Sequence, residues 1–301
     1  MAFPTETVYG RGVDALDARA VARVFEAKAR PWFDPLIVHL AAADELERVA
    51  RVAGSDPRVA LLAARFWPGP LTLVLPRQPA VPDLVTAGLD TVGVRVPDHP
   101  AARGLVRAAG VPVAAPSANP FGYVSPTRAE HVLDQLGDRV DLVLDGGPCR
   151  VGVESTILSL AADPPSILRP GGVSREDLEA ALGGPIEIAG PAERPSAPGQ
   201  LLKHYATRTP LRILDGPAGP APAAPRRVGL LALRPPPRPG GYAALEVLSP
   251  DGSLAIAAAG LFAALRRLDA AGLDLVLAEP CPEEGLGRAI MDRLRRAATP
   301  S

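Results

Sequence analysis

Five short segments gather the residue types that do chemistry. The first, Pro-Thr-Glu-Thr-Val-Tyr-Gly at 4–10, holds two hydroxyls, a carboxylate and a tyrosine. The second runs from Lys28 and Arg30 to Asp34 and His39. Cations at a helix end suit its dipole, and a compact ammonium also suits a phosphate. The third, at 92–96, sets Arg95 into an apolar alternation, as a charge on a solvent face or as a carboxylate clamp. The fourth brackets Ser117 and Asn119 with prolines and continues to Ser125 and Thr127. It is a turn, or a place where a ligand comes close to the backbone. The fifth sets Ser155 and Thr156 against Arg169, Gly171 and Gly172. It reads as a plain hairpin or as hydroxyls and a guanidinium for a phosphate. No Ser–His–Asp order and no catalytic cysteine stand out. His99 and His131 lie in polar, helical stretches and read as surface residues. Cations and hydroxyls without a nucleophile or an acid pair predict a site that works by positioning and charge neutralisation, as in nucleotidyl or phosphoryl transfer.

Composition sharpens this reading. Of 32 basic residues only Lys28 and Lys203 are lysines, and Asn119 is the only asparagine. The excess of Arg, Ala, Pro and Gly reads as GC-rich codon preference, so a rare type that persists marks a chemical need. At 47% apolar and 22% charged, the 301-residue chain is globular rather than disordered. A net charge of −1 removes bulk electrostatics as an argument for nucleic-acid or membrane binding. Cys149 and Cys281, far apart and without His partners, read as free buried thiols. No membrane span and no secretory leader is expected, which predicts a cytoplasmic protein. Neither common nucleotide-loop fingerprint occurs, and no His-Glu-x-x-His or Asp-rich loop offers a metal cage, so no protein-held metal is expected.

The elements that must position these segments follow from periodicity. Helices are expected over Ala18–Lys28, capped by Asp17, and over 44–52, Pro57–Phe66 and 101–109. A further helix, with Thr127 and Glu130 in capping-box spacing, runs to Leu136, and Ser174 begins another to Leu182. Strands are expected at 36–40, 71–75, 91–96, 111–115, 140–144, 155–160 and 166–168. This mixture predicts an α/β domain over 1–190. Residues 191–239 hold 12 of the 36 prolines, a semi-rigid linker composition. Strands at 227–233, 245–248 and 273–278, with helices over 253–271 and 286–298, predict a second small α/β unit. Charge separates between them: net −5 over 1–190 and net +4 over 191–301.

At these segments the sequence closely resembles the L-threonylcarbamoyladenylate synthase family, of YrdC-like fold, in its long two-domain form. The matching strings are FPTETVYGRG at 3–12, EAKARPWFDPLIVHL at 26–40, FWPGPLTLVLPR at 66–77 and TVGVRVPDHP at 91–100. PVAAPSANPFGYVSPT at 112–127, VESTI at 153–157, ILRPGGVS at 167–174, APGQLLKHYA at 197–206 and AEPCPEEGLGRAIMDRL at 278–294 complete them. The resemblance implies a twisted mixed sheet with flanking helices and a concave ligand site over 1–190, with a shortened N-terminal segment. A Pro-rich linker over 191–226 and a Rossmann-like C-terminal domain over 227–301 follow.

It also implies a reaction: threonine, bicarbonate and ATP give threonylcarbamoyl-AMP and pyrophosphate. Separate proteins then pass the threonylcarbamoyl group to the adenosine beside the tRNA anticodon. By position, Thr7, His39, Arg95 and Ser155 would hold threonine, with Arg95 on its carboxylate. Lys28, Arg30, Asp34, Thr91, Ser117, Asn119, Ser125 and Arg169 would lie at ATP, with Lys28 and Arg30 acting in catalysis and Tyr205 reaching ATP from the linker. Mg2+ would arrive on the ATP phosphates. The sequence departs from the family pattern at Arg11, Ala29 and Asp34, and a carboxylate at 34 would repel phosphates unless Arg30 pairs with it. Three other readings stand beside this one. They are the carbamoyl transfer of YrdC-like domains in hydrogenase maturation, an RNA-binding module with a weak RNA contact, and an inactive truncated homologue.

Overall fold

The structure, a computed structural model, describes residues 1–28, 30–52, 56–190, 195–200, 204–219, 227–237 and 240–299. Ala29 and Lys203, singled out above, lie outside the described residues, as do parts of the expected linker. The chain divides into two compact units, Met1–Phe121 with Pro126–Leu201, and Gly122–Ser125 with Leu202–Ser301.

In chain order the first unit comprises β1 (Ala2–Phe3), β2 (Gly10–Arg11), β3 (Val13–Asp14), α1 (Ala18–Lys28) and β4 (Ile37–His39). Then come α2 (Pro57–Phe66), β5 (Leu71–Pro76), α3 (Asp83–Thr86), β6 (Thr91–Arg95), α4 (Pro100–Ala109) and β7 (Val113–Ala114). It closes with α5 (Ala129–Leu136), β8 (Thr156–Ser159), β9 (Ser166–Arg169), α6 (Arg175–Leu182) and β10 (Glu187–Ile188). Eight strands form one mixed sheet in the order β10-β9-β8-β5-β6-β4-β7-β3.

The main core lies on one face of that sheet. Leu71, Leu73 and Leu75 of β5, Val92 and Val94 of β6 and Val38 of β4 point into it. They meet Val21 and Phe25 of α1, Val59 and Leu62 of α2 and Leu178 of α6. Caps fix where these helices start. Asp17 Oδ1 accepts the Arg19 N–H at 2.8 Å, Asp56 accepts from Arg58 with Pro57 following, and Ser174 accepts from Asp177.

The second unit holds β11 (Leu211–Ile213), β12 (Val228–Ala232), β13 (Ala244–Val247), α7 (Leu254–Ala270), β14 (Leu275–Ala278) and α8 (Gly287–Ala297). Its four strands are all parallel, in the order β11-β14-β12-β13. α7 and α8 pack on each other and on these strands.

Several expectations need correction. The helix over 44–52 is a 3₁₀ turn, Ala43–Arg48, with no side-chain cap from Ala42 at its start. The strand at 140–144 is a single bridge, Val143 to Ala2. The Thr127–Glu130 capping box does not form. Arg128 is the N-cap residue of α5 without a side-chain bond, and the Thr127 N–H donates to His131 Nδ1 at 3.2 Å. His99 likewise caps α4, its Nδ1 accepting the Ala101 N–H at 3.2 Å. Both imidazoles, read as surface residues, are helix-end acceptors. Inside the stretch read as linker, Leu211–Ile213 is an edge strand that starts just after Pro210, a place where a missing N–H is tolerated.

Candidate active site

Strand direction collects the singled-out residues at one end of the large sheet. β4 and β6 run parallel and finish at His39 and Arg95, which are register partners. β5 and β8 run the opposite way to β6, so they begin at that end, with Ser155 just ahead of β8. β9 returns antiparallel to β8 and finishes there at Arg169. Strand alternation then decides the face. Register pairs Ile37 with Gly93, Gly93 with Val74 and Thr72 with Ile157. Thr91, Gly93 and Arg95 therefore share the face away from the main core, with Thr72, Val74 and Ile157. Ala197 packs with Ile37, Val74, Ile157 and Leu168 on the apolar part of this face. Gln200 Oε1 holds that segment by accepting the Ser196 N–H at 2.7 Å and the Ala197 N–H at 3.0 Å.

Arg95 is the hub. Its guanidinium is buried and donates from Nε to the Gly69 carbonyl at 3.1 Å and from Nη1 to Thr7 Oγ1 at 2.9 Å. Its Nη2 lies 2.5 Å from Glu6 Oε1. Burial pushes the Glu6 carboxyl up, but the charge and side chain of Arg95, with the backbone N–H groups of Asp98 and Glu6, together outweigh it and hold Glu6 below the usual carboxylate range. Thr7 Oγ1 in turn meets Thr5 Oγ1 at 2.8 Å. The residue after Gly69 links this hub to the next group, since the Pro70 carbonyl accepts the Thr156 N–H at 3.0 Å. There, Ser155 Oγ lies 2.8 Å from Thr72 Oγ1, and Arg169 Nη2 donates to Ser155 Oγ at 3.2 Å and to its carbonyl at 2.9 Å. Arg169 Nη1 donates to the Pro198 carbonyl at 3.1 Å. A Cβ at Gly171 would come within 2.3 Å of the Glu154–Thr156 backbone, so only glycine allows the turn to lie this close.

His39 is neutral. Burial, with Arg95 beside it, holds the imidazole down at about 3. Its Nδ1 has no hydrogen-bond partner among the described residues. Lys28, the last residue of α1, is fully buried and donates from Nζ to the carbonyls of Ser117 and Asn119. Burial, then Arg30, pushes this amine well below the usual lysine range. Arg30 Nη2 pairs with Asp34 at 2.8 Å, so the carboxylate at 34 has the guanidinium partner it needs. Burial pushes the Asp34 carboxyl up, opposed by Arg30.

The structure thus brings Thr7, His39 and Arg95 together, Ser155 with Arg169, and Lys28 with Ser117, Asn119, Arg30 and Asp34. It does not bring Thr91 to the hub. Thr91 shares the face with Arg95 but stands four positions back along β6, about 13 Å away. It lines a small pocket there with Thr72, Gly93 and Ser196–Pro198. Ser125 is buried and clusters with the second unit. Tyr205, in the left-handed region at φ 63°, is buried within its own unit. Its ring stacks on Phe262 at 5.4 Å, meets His204 edge-on at 4.2 Å and receives Arg293 at 5.5 Å.

Two residues escaped sequence reasoning. Glu6 read as one more polar group of its segment, although a carboxylate there faces the Arg95 end of the sheet. Thr72 looked like a strand residue, but it is the only hydroxyl between Leu71 and Leu73, which marks the face opposite the leucines. Among the described residues no group of three or more His, Cys, Asp or Glu is placed to hold a metal ion, and no helix is long and apolar enough to cross a membrane.

Residues 1–171 match the family described as Telomere recombination, and residues 173–299 match Threonylcarbamoyl-AMP synthase, C-terminal domain. The chain is similar to the threonylcarbamoyl-AMP synthase of Bacillus subtilis, with 45% identity over 99% of this chain and 89% of that protein. It is similar to the synthase of Pyrococcus abyssi at 42% identity, over 99% of this chain and 90% of that one. A crystal structure of P. abyssi Sua5 complexed with L-threonine matches with a TM-score of 0.90 at 40% identity, over 99% of this chain and 89% of the other.

Proposed function

The chain belongs to the threonylcarbamoyl-AMP synthase family, and we propose that it joins L-threonine, bicarbonate and ATP into threonylcarbamoyl-AMP and pyrophosphate. The observation that carries the assignment of roles is the buried hub at Arg95, with hydroxyls and a second arginine one residue away across Gly69 and Pro70.

Arg95 binds the threonine carboxylate. Thr7 and Ser155 offer hydroxyls to the rest of the amino acid, and neutral His39 offers Nδ1 to its side-chain hydroxyl. The ammonium group loses a proton and the resulting amine condenses with bicarbonate, forming the carbamate C–N bond and releasing water. A carbamate oxygen then attacks the α-phosphorus of ATP, and the bond to the β-phosphate oxygen breaks to release pyrophosphate. Lys28, Arg30 and Arg169 neutralise the phosphates, with Ser117 and Asn119 beside them and Thr91 further along the same face. Mg2+ comes in on those phosphates as part of the substrate. Ser125 and Tyr205 belong to the second unit and are left out of this assignment. Substrate placement in a buried pocket supplies the rate, because a labile carbamate needs orientation and protection from water more than a strong base.

The product supplies threonylcarbamoyl for tRNA modification through separate transfer proteins, and the substrates are those of the cytoplasm. The decisive assay measures pyrophosphate release. It should require threonine, bicarbonate and ATP together, and pyrophosphate release unaffected by omitting threonine would overturn the assignment. An RNA-binding module is disfavoured because the site cations are buried and paired rather than spread over a surface.

A further inference from the structure

The Arg95 hub carries an acid that no assigned role uses. Glu6 is 1% exposed, and its carboxylate pairs closely with Arg95, with the backbone N–H groups of Asp98 and of Glu6 itself near it but none in good hydrogen-bond geometry among the described residues. Two buried charges lose their hydration, and a carboxylate with about four acceptor positions is not filled by one guanidinium contact and two poorly aligned N–H groups. Arg95 is also incompletely used. A guanidinium has about five N–H hydrogens. Gly69, Thr7 and Glu6 account for three directions.

The hub therefore presents unspent donors of positive charge beside unspent acceptors of negative charge, 2.5 Å apart at their contact. A lone carboxylate ligand would satisfy Arg95 and be repelled by Glu6. A lone amine would do the reverse. An α-amino acid zwitterion, with its ammonium and carboxylate on one carbon, can lie antiparallel to the pair so that each charge faces its opposite. Discrimination of this kind works by leaving a charge unpaired when the wrong ligand binds.

We propose that Glu6 is a specificity residue that reads the α-ammonium of the amino acid whose carboxylate Arg95 holds, so that the Glu6–Arg95 pair selects a zwitterion over a simple hydroxy acid. This rests on the threonine assignment above. Proton release during carbamate formation then occurs next to a carboxylate that has been holding those protons.

The test is calorimetric binding to the full chain of L-threonine and of (R)-3-hydroxybutanoate, which is threonine without its amine. The wild type should bind threonine at least about tenfold more tightly than the analogue. Glu6→Gln should weaken threonine at least about tenfold while leaving the analogue unchanged or tighter. Equal weakening of both ligands would mean that Glu6 merely orients Arg95, and the proposal fails. Unchanged threonine affinity also overturns it. If Glu6→Gln does not fold, the wild-type ratio decides alone, since equal affinities for the two ligands sink the idea. A wild type that neither binds threonine nor releases pyrophosphate overturns the function and this inference together. One that does both but ignores the amine overturns only the role of Glu6.

Discussion

At the residue scale, the site cations are already engaged with groups of their own chain. Arg95→Ala would leave Glu6 buried without its counter-ion, a loss of about 3–5 kcal/mol. Arg95→Lys keeps the charge and removes the fork. It should weaken threonine at least about tenfold and leave ATP affinity within about twofold, by calorimetry. Equal loss of both would refute the role given to Arg95. Lys28 makes a different case. Its amine is held down by burial and by Arg30, so arrival of a polyphosphate anion favours its protonated form. ATP binding should therefore take up protons at pH values where Lys28 of the free protein is part-deprotonated, giving an apparent enthalpy that changes with the buffer's ionisation heat, and Lys28→Met should abolish that dependence. His39 works through stability. Its folded-state value of about 3 lies below the ordinary 6.5, so the unfolded chain takes up a proton that the folded chain refuses. Stability should fall as pH drops from 6.5 towards 3, by up to about 1.4 kcal/mol per unit from this group. His39→Gln should flatten that part of the curve in denaturant unfolding measured at several pH values.

At the element scale, the hairpin of β8 and β9 sets Ser155 and Arg169 by close backbone contact. Gly171→Ala drives a methyl group into the Glu154–Thr156 backbone. It should cost several kcal/mol, about 1–3 for overpacking and more where backbone must move, and weaken threonine as well. A thermal melt and a binding titration together check this. The elements were largely legible in the sequence. α1 and α2 end where their apolar periodicity and caps predict, and β5 and β6 declared themselves by runs of Leu and Val. The two-residue strands β1, β2, β3 and β10 were not legible, since pairing rather than pattern defines pieces that short. The imidazole cap at His99 and the His131 acceptor for the Thr127 N–H were hidden because Nδ1 seldom serves where Ser, Thr or Asp can. Within the site, Arg95, Ser155 and Arg169 were found by residue type. Glu6 and Thr72 needed strand direction and register, which a local motif does not carry.

At the scale of the whole molecule, two units of opposite net charge, −5 over 1–190 and +4 over 191–301, nearly cancel. Binding of the full chain to unmodified tRNA should therefore be no tighter than the non-specific range, about 10⁻⁴–10⁻⁶ M at physiological salt. A filter-binding titration at two salt concentrations checks this, and tight, salt-indifferent binding would point to base recognition. The second unit has its own internal cation, since Arg293 is fully buried, pairs with Asp292 at 2.9 Å and lies over Tyr205. The alternation of β5 and β6 has a consequence for how such a chain can evolve. An excess of arginine over lysine, 30 to 2, is what GC-rich codon preference would write wherever the type of cation is exchangeable. Strand length is not exchangeable in the same way. Deleting one residue inside Thr91–Arg95 would turn every side chain beyond it to the opposite face, with Arg95 in the leucine layer and Val94 on the face that Arg95 now occupies. Insertions and deletions should therefore collect in the loops of this lineage, while these two strands keep their length even as the genome rewrites their letters.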